Sequence, residues 1–270
     1  MAGDPRADEG LRRLRTEGDA LAGELRTLAP EDWDHSTNCD PWTVRLLVGH
    51  AVRACESYLT SVERGLRGEL EPAFTREQRV ARMHEIAAQE PACIVADLHV
   101  VLDRFEQGFG SLRPEQLDTR AAHGFGPRPA RWFVEQGLAE MTFHRWDVLS
   151  SLGRPAELDR ATAAFLLPML LEQNLPVMMG VDGPGGRGSF RFAVRGDPKA
   201  AWRAVAAPGS LAVTRDHDTT HDLSVEGDAA ALALLVYGRR RLADLEREDR
   251  LSIDGDRDVA DRFHDVFRGP

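Results

Sequence analysis

Between about residues 7 and 28, Leu11, Leu14, Leu21, Leu25 and Leu28 recur at three-, four- and seven-residue intervals. That spacing lays one apolar stripe along an amphipathic helix, and Pro30 ends it. The polar stretch EDWDHSTNCDPW that follows reads as a loop, with Asp40 and Pro41 as N-cap and first-turn pair for a second helix from about Thr43 to Arg67. A third helical region runs from Thr75 to about Phe109, bent or broken near its middle by Pro91. After the loop GFGPRP a fourth helix extends from about Ala130 to Leu152, stopped by Gly153 and Pro155. Four long helices with no strand between them describe a helical bundle, assigned to residues 1–155.

The pattern changes beyond Leu152. An apolar helix from about Leu158 to Leu175 leads into MGVDGPGGRGS, which reads as a long loop or a domain linker. FRFAVRG then alternates Phe190, Phe192 and Val194 with Arg191, Ala193 and Arg195, the period of a half-buried strand. SLAVTR, HDLSVEG and RLSIDGD have the same short form, and helices are expected at about Asp228–Glu246 and Arg257–Phe267. Residues 156–270 therefore read as a small α+β domain, joined to the bundle by a helical connection at about 156–180. No repeat or low-complexity tract interrupts this order.

A length of 270 residues suits one large domain or two ordinary ones, and the pattern favours two. With 42% hydrophobic and 29% charged residues the composition is that of a globular protein. A net charge of −10 argues against binding nucleic acid or anionic membranes. No stretch approaches the ~18 uninterrupted apolar residues of a membrane span, and MAGDPRADEGLRRL lacks an apolar leader core, so a cytoplasmic location is expected. Cys39, Cys55 and Cys93 are an odd number at unrelated spacings, which predicts free thiols.

The chemistry concentrates in GLAEMTFHRWDV. Glu140 and His144 stand at i and i+4, one turn apart on a helix face flanked by Phe133, Val134, Leu138, Met141 and Val148. A buried carboxylate needs compensation. The pair could bridge each other, pair with an arginine, or form half of a metal site. His50, set among Val44, Leu47, Val48, Ala51 and Cys55, is either a core histidine or a third ligand. Two imidazoles and one carboxylate converging in a bundle leave coordination positions open, as catalytic sites do. Asp147, three residues past His144, either orients a ligand or serves a cap or an arginine pair. Cys39 reads as a packed helix-entry residue, and His217 and His221 in TRDHDTTHDLS as a polar loop.

These segments resemble a known family. DWDHSTNCDPWTVRLLVGHAV is similar to the Trp, Thr-x-Cys, Trp-Thr-Val-Arg, His signature of mycothiol-dependent maleylpyruvate isomerase-like proteins, within the DinB-like metalloenzyme superfamily, and EMTFHRWDV resembles that family's Glu-x-x-x-His-x-x-Asp element. SVEGDAAALALLVYGRR followed by LSIDGDRDVADRF is similar to the family's C-terminal, sterol-carrier-protein-like domain. CDPW stands where the family usually has Cys-Pro-Gly-Trp. The resemblance implies a DinB-like four-helix bundle in which His50, Glu140 and His144 bind one divalent metal, usually zinc, with mycothiol as thiol cosubstrate and a small electrophile as substrate. It also implies a part in activity for Arg239, whose guanidinium would hold a substrate carboxylate. The expected reaction is S-transfer from a metal-activated thiol, with cis/trans isomerisation of the maleylpyruvate type as the alternative and a non-catalytic ligand-binding or sensor protein as the reading from another class. The expected assembly is a monomer or homodimer.

Overall fold

The computed structural model describes residues 4–178, 187–216 and 220–267, and the chain divides into two compact units, 1–157 and 158–270. In the first unit α1 spans Pro5–Leu25, α2 Val44–Gly65, α3 Arg76–Ala87, α4 Pro91–Gly110 and α5 Ala130–Ser151, with a two-residue hairpin of β1 (Arg120–Ala121) and β2 (Arg128–Pro129) before α5. α1 packs on α4 and α5, and α2 packs on the same two, so the four long helices close a bundle while α3 lies against α2. The core is filled by Leu14, Leu21, Leu47, Leu98, Phe105 and Phe133, each no more than 1% exposed.

Local chemistry sets the helix limits. Asp4 caps α1, its carboxylate accepting from the backbone N–H groups of Arg6 and Ala7. The cap of α2 is Thr43, whose hydroxyl accepts from Leu46, and not the expected Asp40 and Pro41, which lie in the preceding turn. Pro91 does more than bend its helix. It occupies the first turn of α4, where its missing N–H costs nothing, and the chain between Ala87 and Pro91 turns instead of continuing the helix.

Gly49 lets α2 and α3 approach closely, because a Cβ there would lie 2.7 Å from the backbone oxygen of Met83. Gly49→Ala is expected to destabilise the protein by about 1–3 kcal/mol, the usual cost of overpacking. A lower midpoint in denaturant unfolding with an unchanged slope would show it, and an unchanged midpoint would mean that α3 moves aside freely.

In the second unit an apolar helix runs from α6 (Arg160–Met169) through a π-helical turn at Leu170–Asn174 into α7 (Leu175–Met178). The expected linker MGVDGPGGRGS lies mostly outside the described residues. Then come β3 (Gly188–Val194), β4 (Ala201–Ala207), β5 (Ser210–Arg215), β6 (Leu223–Gly227), α8 (Ala229–Val236), α9 (Leu242–Arg247), β7 (Leu251–Gly255), α10 (Arg257–Asp261) and α11 (Phe263–Val266). The sheet order is β5-β4-β3-β6-β7, with β3 and β6 parallel and the other neighbours antiparallel. Phe190 and Phe192 turn inward from β3 and meet the rings of Phe263 and Phe267 edge-on.

Three features depart from the sequence pattern, the first being that the helix expected at about Arg257–Phe267 is broken at Arg262 into α10 and α11. β4 is a strand that the pattern does not mark, because AWRAVAA has little β-branched content; its inward face is Trp202, Ala204 and Ala206, and its register is set by pairing with β3. The single helix expected at 228–246 is two. Gly238 adopts the left-handed conformation at φ +70°, and the backbone N–H of Arg239 closes back on the carbonyl of Leu234 at 2.8 Å.

Candidate metal centre

α5 is buried on nearly every side, so its polar side chains must find partners inside the bundle. Gln136, Glu140 and His144 repeat at i, i+4 and i+8 and therefore share one face. That face looks at α2, which supplies His50 and, two turns on, Tyr58.

Glu140 stands at the centre. Its Oε1 accepts from the Tyr58 hydroxyl at 2.8 Å and from the Gln136 amide at 3.2 Å. Its Oε2 lies 3.3 Å from His50 Nε2 and 3.1 Å from His144 Nε2. One carboxylate oxygen is thus saturated by protein, and the other meets two imidazole nitrogens at one point. The two rings stand perpendicular with centroids 5.2 Å apart. Glu140 and His144 side chains are 8% and 6% exposed, whereas His50 is 20% exposed, which leaves the approach on the His50 side.

The ring nitrogens pointing away are also held. His144 Nδ1 is 3.1 Å from Asp147 Oδ2, which in turn accepts from Cys39 Sγ at 3.2 Å. A carboxylate there fixes a ring hydrogen on Nδ1, so that a metal displacing the Nε2 hydrogen would meet the tautomer a ligand needs. His50 Nδ1 faces Arg53 Nη2 at 2.8 Å, and the Trp42 ring lies over the His50 ring at 4.5 Å.

The charges follow from these contacts. Burial works against ionisation of Glu140, but hydrogen bonds from His144 and His50 outweigh it and hold the carboxyl well below the usual carboxylate range. For His144 burial is opposed by Asp147, Cys39 and Glu140, and the result is an imidazole well above its ordinary pKa. His50 goes the other way, lowered by burial against the pull of Glu140.

Among the described residues two groups have donor atoms close enough to share a metal ion, each within 4.8 Å: His50 with Glu140 and His144, and Cys39 with His144 and Asp147. They compete for opposite nitrogens of His144. The first set fits a divalent cation of the zinc kind, with two imidazoles, a carboxylate oxygen that neither Tyr58 nor Gln136 occupies, and a His144 ring oriented from behind by Asp147. In the second set Cys39 already donates to Asp147, which is how a protein partner behaves.

The family model described as mycothiol maleylpyruvate isomerase N-terminal domain matches residues 14–149, and the one for the C-terminal domain of the same proteins matches residues 171–262. The chain belongs to the mycothiol maleylpyruvate isomerase family. Among solved structures, the crystal structure of the mycothiol-dependent maleylpyruvate isomerase aligns over 94% of this chain and 96% of its own, with 16% identity and a TM-score of 0.66. A histidine-to-alanine mutant of that enzyme aligns over the same shares at 15% identity and TM-score 0.66. At such identities the likeness is one of fold. Sterol carrier protein domain 2 of Helicoverpa armigera aligns over 39% of this chain and 86% of its own, with 21% identity and a TM-score of 0.30. No curated protein sequence matches the chain.

In this member of the mycothiol maleylpyruvate isomerase family the bundle brings His50, Glu140 and His144 together, with Asp147 and Cys39 behind His144. Arg239 lies in the other unit, just past Gly238, where its guanidinium sits 5.1 Å from the Tyr237 ring centroid and donates to the Tyr237 carbonyl. His217 lies outside the described residues, and His221 joins no candidate metal group among them. Sequence reasoning passed over Tyr58, Gln136 and Arg53. Gln136 was within reach as the preceding member of an i+4 ladder, while Tyr58 and Arg53 depend on how α2 is rotated against α5.

No helix among the described residues is long and apolar enough to cross a membrane. The three cysteines are free thiols in unlike settings: Cys55 is fully buried and burial pushes its pKa up, Cys39 is half-buried on Asp147, and Cys93 is exposed. Brief iodoacetamide treatment of the native protein is expected to label Cys93 and spare Cys55. Labelling of Cys55 at a comparable rate, read by peptide mass spectrometry, would show that the α2 core opens readily.

Proposed function

We propose that this chain is a metal-dependent, mycothiol-using cis/trans isomerase of the maleylpyruvate type, with His50, Glu140 and His144 as the metal ligands and zinc as the metal. The observation that carries the reading is the convergence of Glu140 Oε2 and two imidazole Nε2 atoms on one point, in a chain of this family. S-transfer, put first on the sequence alone, finds no support in the comparisons, whereas isomerisation is what the family is named for. We further propose a cytoplasmic protein, monomeric or homodimeric, acting on a small unsaturated electrophile.

A bound divalent metal supplies acidity, keeping a thiol deprotonated at neutral pH. The protein residues do the rest. Tyr58 and Gln136 hold the Glu140 carboxylate in one orientation, and Asp147 holds the His144 ring. The burial of Glu140 and His144 in the bundle, with the Phe133 ring against Tyr58, excludes water and strengthens each of these contacts. In the reaction the thiolate sulfur adds to one carbon of the cis double bond, and the electron pair moves into the adjacent carbonyl. Rotation about what is now a single bond, followed by expulsion of the thiolate, gives the trans isomer and returns the thiol unchanged.

The test is zinc-loaded protein with mycothiol and maleylpyruvate, followed by chromatographic separation of the isomers. Trans product formed catalytically, with mycothiol recovered, is expected. Accumulating thiol conjugate would point to transfer instead, and no turnover with metal and thiol both present would sink the reading. Arg239 is proposed to hold a substrate carboxylate, so Arg239→Ala should raise KM or lower kcat with metal content intact. Loss of folding in that variant would make the residue structural.

A further inference from the structure

Arg53 lies on α2 one turn beyond His50, and its only hydrogen-bond partner among the described residues is His50 Nδ1, 2.8 Å from Nη2. A guanidinium donates and never accepts, so Nδ1 must supply the lone pair and Nε2 carries the ring hydrogen, facing Glu140 Oε2 at 3.3 Å. A neutral imidazole has one such lone pair. A metal held at Nε2 would claim it, the ring hydrogen would then sit on Nδ1, and the contact with Arg53 would become one between two donors. Metal and Arg53 therefore compete for His50, and when the metal is bound the guanidinium has to find another partner.

The protein offers it none among the described residues. Arg53 ion-pairs with no carboxylate there, and its Nε is buried without a hydrogen-bond partner. Glu140 attracts it from beyond ion-pair distance and Arg79 repels it. Two further guanidiniums make no ion pair among the described residues: Arg79 donates to the Phe74 carbonyl, and Arg128 to the Phe125 carbonyl while lying over the face of Trp132. All three bear on His123, whose ring packs on Trp132 at 4.7 Å and Tyr58 at 5.9 Å. Burial first, and then these cations against the opposing pull of Glu140, push His123 down to about 4, so it stays neutral and adds no charge of its own. In a chain of net charge −10, three guanidiniums thus act on His123 beside Tyr58, and none of them has a carboxylate within ion-pair reach among the described residues. A partly buried cation left without a partner is costly, and an arriving anion would relieve that cost.

We propose that Arg53 is a specificity-determining residue for an anionic substrate: His50 holds its guanidinium until a metal takes that imidazole, and the released guanidinium then receives a carboxylate of the unsaturated acid. This rests on the metal-centre reading above and adds to it which residue selects the charge. Arg79 and Arg128 favour the same sign.

The experiment compares wild type with Arg53→Met, which keeps length and loses the donors. Zinc affinity is read by competition with a chromophoric chelator, and binding of maleate to the zinc-loaded protein by calorimetry, with dimethyl maleate as the uncharged control and no thiol present. Arg53→Met is expected to bind zinc about tenfold or more tightly, since a competing charge-assisted hydrogen bond is gone, and maleate about tenfold or more weakly. Arg53→Lys, which keeps the charge without the planar fork, should fall between on maleate and covers the case in which Arg53→Met does not fold. Unchanged zinc affinity, unchanged maleate affinity in the folded variants, or dimethyl maleate bound as tightly as maleate would each overturn the proposal. A protein that shows both shifts yet isomerises nothing refutes the isomerase reading alone, and one that isomerises while ignoring the Arg53 substitutions refutes only this inference.

Discussion

Glu140→Gln is expected to leave a folded protein that no longer retains zinc and has lost its activity. Glu140 Oε2 is the atom on which both imidazole Nε2 atoms converge, at 3.3 and 3.1 Å. Glutamine has the same shape, and its amide oxygen can still accept from Tyr58, but it carries no charge and turns an N–H₂ toward the imidazoles. His144 keeps Asp147 as its counter-ion, so the substitution does not strand a buried cation. The loss in metal affinity should exceed the ~10–100-fold typical of removing a residue that only supports a ligand. Metal content after dialysis against a weak chelator measures it directly. Thermal unfolding gives a second measure, because zinc binding the native state alone stabilises by about 2.7 kcal/mol at a hundredfold excess over its Kd. Wild type should show that rise in Tm on zinc addition and Glu140→Gln should not. A variant that keeps stoichiometric zinc would remove Glu140 from the ligand set.

The helices of the first unit are legible because each buries one stripe at the 3.6-residue period, and its stops are written as Pro30, Pro91, Gly153 and Pro155. The break at Pro91 shows the limit of that reading. A proline inside a periodic stretch either kinks one helix or starts another, and the choice is made by packing. β4 was hidden because alanine fits a strand only where neighbours fill the space beside it, as β3 and β5 do here. In the candidate site, Glu140 and His144 are visible from their spacing alone, since four residues always make one helical turn. His50 is visible only as an imidazole in an apolar pattern, because nothing local states that α2 faces α5. Arg53 and Tyr58 are less visible still, as a long side chain reaches a point set by the rotation of its helix. By spacing alone Asp147 can orient a ligand, serve a cap or pair with an arginine, and the structure sets its carboxylate against His144 Nδ1.

Asp147→Asn is expected to weaken zinc binding by about 10–100-fold and to lower kcat/KM with it, at little cost to the metal-free fold. Asp147 is wholly buried, and its Oδ2 is shared between His144 Nδ1 at 3.1 Å and Cys39 Sγ at 3.2 Å. The carboxylate, as an acceptor only, dictates that His144 presents its hydrogen backward and its lone pair toward the site. An asparagine can present either oxygen or nitrogen, and with the nitrogen turned inward it demands the opposite tautomer, in which Nε2 carries the hydrogen and cannot hold a metal. Cys39→Ala separates this effect from packing. It removes a donor to Asp147 without altering the carboxylate, and should leave zinc affinity within a few-fold of wild type. If Asp147→Asn instead unfolds the protein, or Cys39→Ala weakens zinc as much as Asp147→Asn does, Asp147 acts by holding α5 to the loop before α2 and not by fixing the imidazole. Chelator competition on both variants, beside their unfolding midpoints without metal, distinguishes the two roles.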